Sequence, residues 1–192
     1  MRRTKVERKT KETDIKVDLN VDGKGECNIS TGIKFFDHLL SSFAVHGKFD
    51  LNLTASGDDE HHIIEDVGIV LGHALKKSLI EKEDIYRFGH AIVPMDDSLA
   101  IVAIDLSGRS YLVFNAKFSS EKIGDISTEM IKHFLEAFVS NARININVRV
   151  EGENDHHKGE ALFKSLALAL NEATRIDQQG KSAPSTKGIL YG

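Results

Sequence analysis

The chain has 192 residues, nine histidines, one cysteine and a formal net charge of −4. That length suits one domain or two small fused ones. The mild negative charge argues against a nucleic-acid partner, the single Cys27 excludes a disulfide framework or a cysteine-rich zinc site, and no apolar run approaches the ~20 residues that span a bilayer.

Residues 1–11 are basic and hold no apolar segment. They are expected to be a solvated strand edge rather than a signal peptide, with the cytoplasm as the expected location. Residues 13–21 alternate: Ile15, Val17, Leu19 and Val21 share one face, and Lys16, Asp18 and Asn20 the other. That is a half-buried strand. Asp22-Gly23-Lys24-Gly25 is expected to close a hairpin with a short strand through Ile29. Cys27, in that strand, is expected to be a small, half-buried apolar residue. Phe36, Leu39, Leu40 and Phe43 recur at helical spacing and predict a helix over 34–45, with His38 near its start. Phe49, Leu51 and Leu53 mark a strand over 48–55. Gly57 turns it into an acidic lead-in and a helix to about Ile80.

A second half begins near Tyr86. Strands are predicted over 91–93, 99–106 and 111–117, with turns at Pro94-Met95-Asp96-Asp97 and Ser107-Gly108-Arg109. A helix over 127–142 contains His133. A strand over 144–150 and a helix over 155–176 follow. The expected division is a first half-domain over 1–84, a second over 85–176 and a polar tail over 177–192.

One stretch occurs twice, as His61-His62-Ile63-Ile64-Glu65 and as His156-His157-Lys158-Gly159-Glu160. Subtracting 61 from 156 gives a shift of 95 residues. The same shift carries His38 onto His133, Leu40 onto Leu135, Phe43 onto Phe138, Asn52 onto Asn147, Gly57 onto Gly152 and Leu75 onto Leu170. A chain built twice from one unit is the simplest reading. The expected fold is α+β and internally duplicated, each half a small sheet with two helices packed on one face. The strands should pair as hairpins rather than as a parallel Rossmann sheet. No glycine-rich nucleotide motif occurs.

The spacing of the doubled stretch carries chemistry. Helical residues four apart share a face, whereas adjacent ones diverge by roughly 100°. His61 and Glu65 can therefore converge while His62 aims elsewhere, and His156, Glu160 and His157 behave alike. Ligands presented in two directions suit two ions better than one. With His38 and His133 added, six imidazoles and two carboxylates divide into two sets. Helix geometry places His61 with Glu65 and His156 with Glu160. Pseudo-symmetry sends His157 to the first set and His62 to the second, and His133 is assigned to the first and His38 to the second. Imidazole and carboxylate without thiolate suit Mn, Fe, Co, Ni or Zn. Four protein ligands would saturate a tetrahedral zinc ion, so a catalytic role points to a six-coordinate ion such as Mn²⁺. Asp58, Asp59 and Asp155 precede the pairs, and helix capping is the favoured reading for them.

The duplication breaks at Lys164, one turn past Glu160, where Ile69 stands in the first half. A substrate is not symmetric, so this asymmetry points to chemistry. From the residues alone, a metal-dependent hydrolase and a metal-binding structural shell stay open beside any other metal enzyme.

The chain resembles imidazoleglycerol-phosphate dehydratase nearly end to end. The likeness is carried by the doubled stretch, Arg8-Lys9-Thr10-Lys11-Glu12-Thr13, Phe36-Asp37-His38, Arg87-Phe88-Gly89, Pro94-Met95-Asp96-Asp97, Asp105-Leu106-Ser107-Gly108-Arg109 and Ser185-Thr186-Lys187-Gly188. The resemblance implies a lyase of histidine biosynthesis that removes water from D-erythro-imidazole-glycerol phosphate to give imidazole-acetol phosphate. It implies two Mn²⁺ per chain and a 24-subunit homo-oligomer with active sites between subunits. The proton to be lost sits on an unactivated carbon. Two ions on the ring nitrogens would hold the ring as an imidazolate, whose electrons can expel the hydroxyl. On the same resemblance, Glu160 is a candidate base, Lys164 steadies the hydroxyl or the enolate, and Glu12 reaches a neighbouring subunit's substrate. Arg87, Arg109, Ser185, Lys187 and His46 would hold the phosphate, the arginines by their planar forks. Asp96 and Asp97 occupy a tight turn, where capping and catalysis are both open.

Overall fold

Two four-stranded sheets share one strand order and one register. The computed structural model describes residues 2–79 and 85–177. In the first sheet β1 (Arg3–Lys9), β2 (Thr13–Asn20), β3 (Cys27–Ser30) and β4 (Asp50–Gly57) lie in the order β1-β2-β4-β3. In the second, β5 (Phe88–Met95), β6 (Ser98–Asp105), β7 (Tyr111–Ala116) and β10 (Asn145–Glu151) lie in the order β5-β6-β10-β7. Val17 pairs with Val6 and Leu53; Val102 pairs with Ala91 and Val148. Subtracting Val17 from Val102 gives a shift of 85, and Leu53 from Val148 gives 95. The difference is an extra segment between β7 and helix α3 (Glu129–Ala142), folded as a hairpin of β8 (Lys122–Ile123) and β9 (Ile126–Ser127).

Three sequence expectations need correction. Asp22–Gly25 does not close a hairpin, because β4 lies between β2 and β3. Asp50, opening β4, accepts from Lys24 N (2.8 Å), Glu26 N (3.2 Å) and Asn20 Nδ2 (3.0 Å), which wraps the turn around that strand's end. The sheets are therefore mixed: β3 runs parallel to β4, and β7 to β10. Cys27 is exposed, because it begins an edge strand that β4 alone flanks. Pro94 and Met95 belong to β5, and the turn falls at Asp96, whose φ is 48°.

Helices α1 (Lys34–Gly47), α2 (Glu60–Leu79), α3 and α4 (Asp155–Thr174) bury their apolar stripes against one face of each sheet and against one another. α2 packs on α3, and α1 on α4. Gly68 and Gly72 make the first contact close: a Cβ would come within 2.8 Å of Phe134 O and 2.6 Å of Phe138 O respectively. Phe134 packs on both Phe36 and Phe163, with centroids 5.4 and 5.6 Å away, so the two halves share one core. α1 and α3 end alike, at Lys48 (φ 55°) and Arg143 (φ 57°), left-handed caps that also place cations at the negative helix end. The outer sheet faces differ. Lys5, Glu7, Lys9 and Lys16 stud the first, whereas Phe88, Ile92 and Leu99 are exposed on the second. Among the described residues, no helix is long and apolar enough to cross a membrane.

Candidate metal centre and active site

The doubled stretches open α2 and α4, and each helix start is fixed by a side chain. Asp59 Oδ1 accepts His61 N at 2.7 Å. Asn154 accepts His156 N at 2.9 Å and His157 N at 3.3 Å, so Asn154 is the cap of α4. Asp155 is not the cap. Its Oδ2 accepts Ser119 N and Ser120 N, and its Oδ1 lies 2.5 Å from Lys158 Nζ. Asp58 likewise turns to a side chain, with Oδ1 2.9 Å from His62 Nδ1.

Each helix start delivers one trio. Glu65 Oε2 lies 3.8 Å from His61 Nε2 and 3.5 Å from His133 Nε2. Glu160 Oε1 lies 2.8 Å from His156 Nε2 and 3.1 Å from His38 Nε2. In both trios the donor atoms fall within 4.8 Å of one another. His133 Nε2 is buried without a hydrogen bond, beside a carboxylate and a second imidazole. Buried nitrogens rarely stay unpaired, and this donor set fits a borderline divalent cation. The fourth member expected of each set is elsewhere. His62 bonds Asp58, and His157 Nδ1 lies 2.6 Å from Asp97 Oδ1, so neither joins a trio of its own chain.

Lys164 marks the second trio. Its Nζ donates to Glu160 Oε2 at 2.8 Å, with Met95 Sδ at 3.3 Å. Burial works to raise the Glu160 carboxyl, but Lys164, His38 and His156 outweigh it and hold it at about 2. His46, in the last turn of α1, lies within the field of the same pair. Burial and the Lys164 charge push its imidazole down, against Glu160.

Other expected site residues are scattered. Arg87 pairs with Asp105 through Nε (2.7 Å) and Nη2 (3.2 Å), and its backbone N–H donates to Ala173 O. Ala173 is thirteen residues past Glu160, about 20 Å along α4. Arg109 is exposed beside Gly108, whose carbonyl accepts from Arg143 at the far end of α3. Both arginines therefore lie at the end of the helices remote from the trios. Ser185 and Lys187 fall outside the described residues. Glu12 is exposed in the β1–β2 turn, where its carbonyl accepts Asp58 N and its charge helps raise the His62 imidazole after Asp58 itself. Asp66 anchors that turn: it is buried and bonds both Arg8 and the Thr13 hydroxyl. Sequence reasoning left Asp66 without a role, although Ala161 at the corresponding position was a visible break in the repeat.

A duplicated α+β scaffold presents two imidazole–carboxylate trios from its helix starts, each a group of side chains that could hold a metal ion. A family model for imidazoleglycerol-phosphate dehydratase matches residues 31–170. The chain is 55% identical over 193 residues to the imidazoleglycerol-phosphate dehydratase of Methanosarcina mazei, covering 99% of this chain and 100% of that one. It is 51% identical to that of Acetivibrio thermocellus, covering 98% and 99%. Its structure is similar to imidazoleglycerol-phosphate dehydratase from Staphylococcus aureus, with a TM-score of 0.84 and 36% identity over 91% of this chain and 99% of that one. The likeness to IGPD from Pyrococcus furiosus has the same TM-score and identity, over 96% and 100%. The chain belongs to the imidazoleglycerol-phosphate dehydratase family, lyases of histidine biosynthesis.

Proposed function

We propose that the chain converts D-erythro-imidazole-glycerol phosphate to imidazole-acetol phosphate, and that its two trios hold two Mn²⁺. The observation that carries this reading is the pairing of the trios, with the His133 nitrogen buried and unbonded in one of them. When bound, the ions held by His61, Glu65 and His133 and by His38, His156 and Glu160 would supply Lewis acidity toward the substrate's ring.

The chain's own side chains do the rest. Lys164 holds Glu160 ionised, and Glu160 becomes a proton acceptor only if it leaves its ion when substrate binds and the pair with Lys164 opens. Lys164 is then free to donate to the leaving hydroxyl or the enolate oxygen. Glu12 is exposed on a turn clamped by Asp66, a position that would let it reach a neighbouring subunit's substrate.

Neighbouring copies complete the site. His62 and His157 stand outside both trios, and Arg87 and Arg109 lie remote from them. A large homo-oligomer, of 24 subunits by family likeness, brings one chain's phosphate arginines and spare imidazoles to another's trios. The exposed Phe88, Ile92 and Leu99 form an apolar face that such an assembly would bury. The cytoplasm is the compartment proposed for this enzyme.

The test follows imidazole-acetol phosphate formation by the purified chain with and without Mn²⁺. The expected result is Mn²⁺-dependent turnover that His61→Ala abolishes. No turnover with Mn²⁺, or near wild-type turnover in His61→Ala, would contradict the reading.

A further inference from the structure

The β8–β9 hairpin has no counterpart in the first half, where Thr31-Gly32-Ile33 alone links β3 to α1. It lies at the ends of the helices that bear the trios. Ser119 N and Ser120 N donate to Asp155 in the first turn of α4, and the buried Lys158 donates to Lys117 O at 2.7 Å. Ser127 N donates to Glu60 Oε1 at 3.0 Å, immediately before His61. Asp125 accepts Lys34 N at 2.6 Å and Phe35 N at 2.8 Å, in the first turn of α1. The next residues enter α3.

The grip on α1 is lopsided. Ile33 occupies the cap position there and has no side-chain acceptor, so Asp125 satisfies the orphan N–H groups from another part of the chain. Gly124, with φ 60°, backs onto the same residue: a Cβ there would sit 3.0 Å from Phe35 Cβ. The Phe35 ring in turn lies 4.8 Å from the His156 ring and 6.2 Å from the His38 ring. Met130 holds the corresponding place in α3, and among the described residues the ring contacts of His61 and His133 are with each other and His62, not with a phenylalanine. A cavity of about 550 Å³ lies beside the braced trio, lined in part by Phe35, Gly124 and Asp125.

We propose that the inserted hairpin makes the two ion sites unequal: Asp125, acting through Phe35, is a positioning residue that sets His38 and His156 in place for the ion. The other trio lacks this brace. The proposal rests on the reading that both trios bind divalent ions. Outer groups that orient metal ligands are typically worth about 10–100-fold in affinity.

The test titrates metal-free full-length chain with Co²⁺ and follows visible absorption and bound ions per chain. Wild type, Asp125→Ala, Asp125→Asn and Phe35→Leu are compared, together with the melting temperature of each metal-free protein. The expected result is two ions per wild-type chain, with Asp125→Ala weakening one of them about tenfold and sparing the other. Phe35→Leu should weaken the same ion, and Asp125→Asn, which keeps one of the two acceptor oxygens, should fall between wild type and Asp125→Ala. Equal weakening of both ions in step with a fall in melting temperature would overturn the proposal, as would no change in either. Fewer than two ions in wild type would overturn the ion-binding reading, and this proposal with it.

Discussion

Asp97 Oδ1 lies 2.6 Å from His157 Nδ1, although sixty residues separate them in the chain. The other carboxylate oxygen accepts Glu153 N at 2.6 Å and Asn154 N at 2.8 Å. The Asn154 N–H, then His157, hold the Asp97 carboxyl well below the usual carboxylate range. A carboxylate on one imidazole nitrogen orients the ring and strengthens the other nitrogen as a ligand. Asp97→Ala is therefore expected to weaken ion binding by about 10–100-fold in the assembled protein. Equilibrium dialysis against Mn²⁺ measures this, and an unchanged affinity would show that His157 is no ligand.

Arg2 ties the first strand to the last helix. It is 7% exposed, with Nη2 2.6 Å from Asp22 Oδ1 and Nη1 2.5 Å from Thr174 O at the end of α4. Arg2→Ala should destabilise metal-free protein by about 2 kcal/mol, as expected for a partly buried charged hydrogen-bond donor. Arg2 lowers the Asp22 carboxyl, so this stabilisation is complete above the ordinary carboxylate range and fades as pH falls through and below it. Melting curves of wild type and variant should lie furthest apart near pH 7 and approach each other toward pH 3. A constant gap would mean that the ion pair contributes nothing.

The helix glycines should separate cleanly. Gly68→Ala or Gly72→Ala drives a methyl into an α3 carbonyl, and overpacking of this kind costs about 1–3 kcal/mol. At Gly159 the nearest atom to a new Cβ is Phe35 Cζ at 3.7 Å, an ordinary contact. Gly159→Ala should raise stability by up to about 1 kcal/mol through helix propensity. Chemical denaturation ranks the three, and a destabilised Gly159→Ala would refute the packing described at α4.

The two arginines at the far helix ends should behave differently. Arg109 is exposed, so Arg109→Ala is expected to raise KM about 10–100-fold through a lost charged contact, with the fold intact. Arg87→Ala also strips the bidentate partner from Asp105, so it should lower the melting temperature as well. Steady-state kinetics beside melting curves checks both. An unchanged KM for Arg109→Ala would remove it from the phosphate site.

Much of the site could be read before the structure, because spacing on a helix dictates direction. An i, i+4 relation places His61 over Glu65 whatever surrounds them, and the 95-residue shift brings His38 and His133 in. The strands hid half of the duplication. Their alternation has a period of two, and Ala91 or Ala100 stands where Val6 or Ile15 stands, so the 85-residue shift left little trace. Strand pattern also does not name the neighbouring strand, which is why β4 between β2 and β3 was missed. The two-residue strands β8 and β9 are too short for any period. Asp97 and Asp125 act on residues sixty and ninety positions away, and no local pattern records such contacts.

The most direct test of the central claim counts manganese in the assembled protein. Metal analysis by mass spectrometry on the purified oligomer, beside its His62→Ala,His157→Ala double variant, should find two ions per wild-type chain and a marked loss in the variant. One ion or none in wild type, or two ions still tightly held without His62 and His157, would contradict an account in which trios from one chain are completed by imidazoles from another.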